Sequence, residues 1–155
     1  MKILEINKFN FIKGGADRHF LDVSALLKSN GHEVAIFCMD HPKNKFSPWK
    51  KYFVSFVGYD NSATFWQKIK GVGRMFYSFE ANRKISKLLD DFRPDIVHIH
   101  NIYHQISPSI LKIIKKRGIP IIMTVHDYKL ICPDYLLRHN STHWEEKRKG
   151  RYMEF

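Results

Sequence analysis

The sequence predicts an α/β fold built on a doubly wound, mainly parallel sheet. Three observations predict it. Short apolar runs recur along the chain: KILEINK at 2–8, EVAIFCM at 33–39, DIVHIH at 95–100 and IPIIMTV at 119–125. Stretches with apolar residues at helical spacing separate them. Glycine, proline and asparagine punctuate the junctions. Strand and helix in alternation, with no internal repeat, is the pattern of a parallel sheet with crossover helices.

The first βαβ unit organises the chain. Lys2 to Lys8 reads as a strand, and a loop from Phe9 to Lys13 leads into Gly14-Gly15. A helix is expected over Ala16 to Ser29, with Ala16, Phe20, Val23 and Leu27 turned inward. Asn30-Gly31 stops it, and Gly31 suits the left-handed position beyond a helix C-terminus. Glu33 to Met39 is the second strand. Asp40 to Lys51 is a loop, and the alternation in Tyr52 to Val57 predicts a third strand at an edge. Phe65, Ile69, Val72 and Phe76 predict a helix over Ser62 to Tyr77, although Gly71 and Gly73 weaken the pattern. A further helix runs over Glu80 to Asp91 with Ile85, Leu88 and Leu89 inward, and Arg93-Pro94 ends it.

Asp95 to His100 is the fourth strand. Ser107-Pro108 offers an N-cap and a first-turn proline to a helix that turns Ile106, Ile110, Ile113 and Ile114 inward. Ile119 to Val125 is the fifth strand, apolar enough to be covered on both faces. Beyond Leu137 the chain becomes polar and charge-rich. The expected organisation is therefore one domain over 1–137 and a polar extension, or the start of a further segment, over 138–155.

Composition narrows the class. A chain of 155 residues with 44% hydrophobic and 14% aromatic residues can bury a core, which disordered chains cannot. No apolar run approaches the roughly 20 residues of a membrane-spanning helix, and the start turns polar too early for a signal peptide. Two cysteines, Cys38 and Cys132, form neither a disulfide framework nor a metal motif. Cys38 is expected to be a buried thiol and the protein cytoplasmic. A formal charge of +11 favours an anionic partner: nucleic acid, a phosphorylated ligand or an anionic membrane.

Three polar groups follow strands whose carboxyl ends share one edge of the sheet, where open α/β folds bind ligands. Gly14-Gly15 follows the first strand, His100-Asn101 and Tyr103-His104 the fourth, and His126-Asp127-Tyr128 the fifth. The glycines open a helix, and helix N-termini attract phosphate; a tight turn alone would explain them equally well, since the G-x-G-x-x-G fingerprint is absent. His98 and His100 face the same side of their strand, with His104 and His126 candidates to approach them. Without a cysteine or a placed carboxylate this spacing is not a ligand motif, and no metal is expected. An aspartate in the position of Asp127 often caps the next turn. No nucleophile elbow, Walker loop or H-E-x-x-H occurs. Lys43, Lys45, Trp49, Lys50, Lys51, Phe65, Trp66, Lys68, Lys70 and Arg74 read either as a patch for anionic lipid or as a solvated face over core aromatics.

GGADRHFLDVSALLKSNGHEVAIFCM, RPDIVHIHNIYHQISPSIL and GIPIIMTVHDYKLICP, in this order, resemble the N-terminal half of retaining glycosyltransferases of the two-domain GT-B architecture, and specifically glycosyltransferase family four. The likeness covers about Met1 to Leu137. It implies a Rossmann-like domain that holds the acceptor, often lipid-linked or a polysaccharide, for transfer from a nucleotide-sugar with retention of configuration and without a cofactor or metal. It implies that Gly14-Gly15 approach the donor diphosphate and that His126 contacts the transferred sugar. Arg18 is expected to join the donor and phosphate contacts, Asp127 to be catalytic with His126, and His100, Asn101, Tyr103, His104 and Tyr128 to line the cleft. A position at the inner face of a membrane would suit the charge.

The sequence departs from that family in places. Asp17 stands where glutamate is common, and no cysteine follows Cys132. No E-x7-E pair of the donor-binding C-terminal domain is found, so the chain is expected to be inactive alone, whether one domain of a larger enzyme or a truncated product. The competing function is a non-catalytic domain that binds sugar or phosphate. A nucleic-acid partner is not expected, because the basic residues are dispersed and no recognition motif occurs.

Overall fold

The computed structural model describes residues 1–56, 77–103 and 106–128, with the backbone of two short strands further on. The chain divides into two compact units, Met1–Thr124 and Val125–Phe155. The first is an α/β layer structure. Its strands are β1 (Lys2–Ile6), β2 (Glu33–Phe37), β3 (Ile96–Ile99) and β4 (Ile121–Met123). They form one sheet in the order β2-β1-β3-β4, and every pairing is parallel. The helices are α1 (Gly15–Ser29), α2 (Phe79–Phe92) and α3 (Ser109–Lys116). This is the doubly wound, Rossmann-like class the sequence predicts. In the second unit β5 (Arg138–His139) pairs antiparallel with β6 (Thr142–His143).

The helix ends follow from local chemistry. α1 leaves its last turn through Gly31 at φ 78°, as the sequence predicts, with the His32 amide bonded to the Leu27 carbonyl at 3.1 Å. Ser78 caps α2 by accepting the Ala81 amide at 3.2 Å. Arg93, at φ 51°, ends α2 immediately before Pro94. α3 begins one residue later than expected: Pro108 is its N-cap. Ser107 lies outside the helix at φ 74°, and its Oγ accepts the Ser109 amide at 3.3 Å.

Of the strand expected over Tyr52 to Val57, the described residues 52–56 form none. Lys50–Tyr52 is instead a turn of 3₁₀ helix, and Val54 makes a single parallel bridge to Met39. The physical reason is burial: Tyr52, Phe53 and Val54 are all inside, so the apparent alternation was not that of a half-buried strand. The inward stripe of α1 is also rotated from expectation, to Asp17, Phe20, Leu21 and Ser24. The fifth apolar run is β4, an edge strand. It is not covered on both faces, with Ile121 36% and Ile122 53% exposed. The helix expected over Ser62 to Tyr77 lies outside the described residues except for Tyr77, as do Cys132 and five of the ten residues of the basic-aromatic region.

The core lies on both sides of the sheet. On one side Leu4, Ile6, Ala35, Phe37, Val97 and Ile99 pack with Ile85, Leu88, Leu89 and Phe92 of α2 and with Ile110 and Ile114 of α3. On the other, Phe20 and Leu21 of α1 pack with Ile36, Cys38 and Phe53. Trp49 packs against both clusters and meets Phe92 edge-on at 5.1 Å, so it is a core aromatic. Among the described residues no helix is long and apolar enough to cross a membrane.

Candidate functional site

Side chains alternate along a strand, so Leu4 and Ile6 enter the α2–α3 core while Glu5 and Asn7 project to the face that carries α1. β3 obeys the same rule. Val97 and Ile99 enter the core, whereas His98 and His100 join Glu5, opposite which His98 stands in register. The carboxyl end of the sheet therefore presents polar groups on one face only.

Asn7 links the loops that leave β1 and β3. Its Nδ2 donates to the Phe9 carbonyl at 2.9 Å and to Asp17 Oδ1 at 3.0 Å. Its Oδ1 accepts the Asn101 amide at 3.2 Å. Asp17, buried in the first turn of α1, accepts the amides of Gly14 at 3.1 Å and Lys13 at 3.3 Å through Oδ2. The glycine turn is thus pinned from beneath by a carboxylate that is itself held by Asn7. Asp17, the position where the sequence departs from the family's usual glutamate, is the residue that fixes this turn.

Gly14 and Gly15 are exposed. A Cβ added to either would meet nothing within 4 Å, and neither has a positive φ. Neither packing nor backbone conformation requires glycine there. Arg18 is exposed on the next turn and pairs with Asp22 at 3.6 Å.

The second loop brings His100, Asn101 and Tyr103 to the same end of the sheet. His100 is fully buried, with its ring edge-on to Phe20 at 5.3 Å; Asn101 and Tyr103 are half-buried. His104 lies outside the described residues. His126, Asp127 and Tyr128 follow β4 in the chain and belong to the second unit. There His126 and Asp127 are half-buried and Tyr128 is 51% exposed.

Beneath these loops lies a cluster that the sequence reading saw only in part. His98 and His100 do share a face, with ring centroids 4.2 Å apart. Between them stands Glu5, with His98 Nδ1 2.9 Å from its Oε1 and His100 Nε2 3.0 Å from its Oε2. His98 Nε2 lies 2.8 Å from Thr124 Oγ1. Burial pushes the Glu5 carboxyl up, but the bonds and positive charge of the two histidines outweigh it and hold the group below the ordinary carboxylate range. Cys38 behaves in the opposite way: burial, and then the nearby Asp40 charge, push its thiol up, so it is no nucleophile.

Glu5, Asn7, Asp17 and Thr124 were not found as site residues from sequence. The available signal was parity, since Glu5 and Asn7 alternate with Leu4 and Ile6 and so cannot share their face.

The chain matches Glycosyltransferase Family 4 over residues 13–154. It is 24% identical over 163 residues to an uncharacterized 42.6 kDa protein in the cps region of Klebsiella pneumoniae, an alignment that covers 95% of this chain and 42% of the relative. The chain thus spans less than half the length of that relative. With a match over nearly its whole length, a parallel sheet flanked by helices, and a glycine turn opening α1, the chain belongs to glycosyltransferase family 4.

Proposed function

We propose that the chain is the acceptor-side domain of a retaining glycosyltransferase that moves a sugar from a nucleotide-sugar donor to a glycan or lipid-linked acceptor. The observation that carries this reading is the pair Gly14-Gly15. The fold itself gives no reason for glycine at either position, which leaves close approach by an outside group as the reason. A diphosphate suits the place. The amides of Lys13 and Gly14 are engaged by Asp17, while those that follow, in the first turn of α1, have no carbonyl partner within the helix.

In this reading the sugar–phosphate bond breaks as the acceptor oxygen bonds the anomeric carbon on the same face. The leaving diphosphate takes the acceptor proton. Negative charge grows on that leaving group, and the positive end of α1 stabilises it more in the transition state than in the ground state. Arg18 adds a further positive charge. His126 hydrogen-bonds the transferred sugar, and Asp127 holds the loop that carries His126. Asn101, Tyr103, His104 and Tyr128 contact the acceptor. In this reading the nucleotide is held by a second domain.

The cps region of the Klebsiella relative is in keeping with a polysaccharide acceptor. Exposed Lys43 and Lys45 beside Phe46, which is 94% exposed, favour a peripheral position on an anionic membrane at its cytoplasmic face.

Titration of the labelled chain with inorganic pyrophosphate tests the donor contact. The amides from Gly14 to Arg18 should shift, and Gly15→Val should abolish the response; unmoved amides in the unmutated chain would sink the assignment. In an enzyme carrying both domains, His126→Ala should lower kcat more than it raises KM. If His126→Ala keeps full kcat while Asp127→Ala abolishes it at unchanged stability, Asp127 carries the chemistry instead.

A further inference from the structure

Glu5 and His98 lie outside the residues assigned above to donor or acceptor, yet they form the most completely built polar cluster among the described residues. We propose that Glu5, His98 and His100 bind a divalent transition-metal ion of the zinc or cobalt kind.

The donor set is suitable. Two imidazole nitrogens and a carboxylate are ligands that zinc and its neighbours accept. Their ligand atoms all lie within 4.8 Å of one another. The spacing is suitable as well. The two nitrogen–oxygen separations are 2.9 and 3.0 Å. Nitrogen and oxygen ligands at about 2.0–2.2 Å from one tetrahedral ion stand about 3.4 Å apart, a few tenths of an ångström more than the separations here. A small turn of the Glu5, His98 and His100 side chains would let an ion replace the protons now shared between them, with the strands left in register.

The surroundings support an ion in three further ways. The ligands sit on adjacent strands in fixed register, Glu5 opposite His98, so no loop has to close to assemble them. His98 has an outer partner: its second nitrogen lies 2.8 Å from Thr124 Oγ1, the kind of bond that orients a metal-bound imidazole. Glu5 is fully buried, so a cation there would be held away from competing water. The approach lies on the β4 side. The His98 side chain is 16% exposed, and Ile122, its register neighbour on β4, is 53% exposed.

Calorimetric titration of the purified chain with Zn(II), and with Co(II) followed by absorption, tests the proposal at neutral pH. A single ion should bind at this cluster and raise the melting temperature. Glu5→Gln and His98→Ala should each weaken that binding by more than about a hundredfold, and Thr124→Val by about tenfold, the range expected for an outer partner. His32→Ala, distant in the chain from these ligands, should leave it unchanged. Should Glu5→Gln fail to fold, His98→Ala decides, because His98 sits at the rim of the cluster. The proposal is overturned if the unmutated chain binds neither ion, or if His98→Ala binds both as tightly as before. Glu5, His98 and His100 would then be a hydrogen-bonded network only.

Discussion

Strand β1 presents two faces that are equally buried and chemically opposite. Leu4 and Ile6 on one side, and Glu5 and Asn7 on the other, are all 0% exposed. The first pair is held by packing against α2 and α3, where it contributes through area removed from water. The second pair is held by hydrogen bonds to particular atoms. Glu5 meets two histidines, and Asn7 meets Phe9, Asp17 and Asn101. Burial alone does not separate a core from a site. What separates them is whether the buried groups could be exchanged for others of the same volume. Leucine for isoleucine is a modest change, whereas no residue of similar size reproduces the three bonds of Asn7.

The comparison breaks most visibly on the packed side. Phe92 closes α2 against the sheet and is 1% exposed, with Trp49 edge-on to its ring. Phe92→Ala should cost about 3–5 kcal/mol in urea unfolding, through lost transfer energy and the cavity left behind. Asn7→Ala should cost less, about 1–3 kcal/mol, because it strands buried partners rather than opening a large void. Its signature should be local. Amide exchange at Lys13, Gly14 and Asn101 should accelerate before exchange in α2 does, since only those groups depend on the Asn7–Asp17 link. Uniform acceleration across the sheet would mean that Asn7 is a core residue like any other and not a clamp between loops.

The packed side was largely readable in the sequence and the polar side was not. Apolar period and helix stops located β1, α1, β2, α2 and β3, with Gly31 and Arg93 ending helices where expected. These signals are local. The alternation in Tyr52 to Val57 suggests a strand, but Tyr52, Phe53 and Val54 are all buried and Lys50–Tyr52 is a 3₁₀ turn, which so short a window does not reveal. β4 was placed correctly but judged covered, since an apolar edge strand looks like a central one until its neighbours are known. Glu5 was overlooked for a different reason. A glutamate between Leu4 and Ile6 reads as the solvent side of a strand, and its partners His98 and His100 lie more than ninety residues away along the chain. Pairing at that distance is set by strand order, which no local pattern contains. Asp17 carried a family signal, as the acid of the first turn, but its work on the amides of Lys13 and Gly14 needed coordinates.

The smallest expected effect on stability sharpens the comparison furthest. Gly15 starts α1 with a backbone that any residue adopts, and a Cβ there would enter open space. A residue kept for the fold resists replacement, whereas one kept for a visitor does not. Gly15→Ala should therefore leave stability unchanged or raise it by up to about 1 kcal/mol, because alanine has fewer unfolded conformations to lose. Gly15→Val should be nearly as neutral for the fold, with a small loss from its lower helix propensity. Against pyrophosphate the two should part. The methyl of alanine weakens the contact modestly, and the branched side chain of valine removes it by keeping the phosphate from the amides of α1. Melting curves and pyrophosphate titrations of both variants give the answer together. A loss of more than about 1 kcal/mol in Gly15→Ala, beyond the range of a neutral surface change, would show that the fold itself needs the glycine. The argument from Gly15 to a bound diphosphate would then lose its footing, while the Asn7–Asp17 clamp beneath the turn would stand on its own bonds.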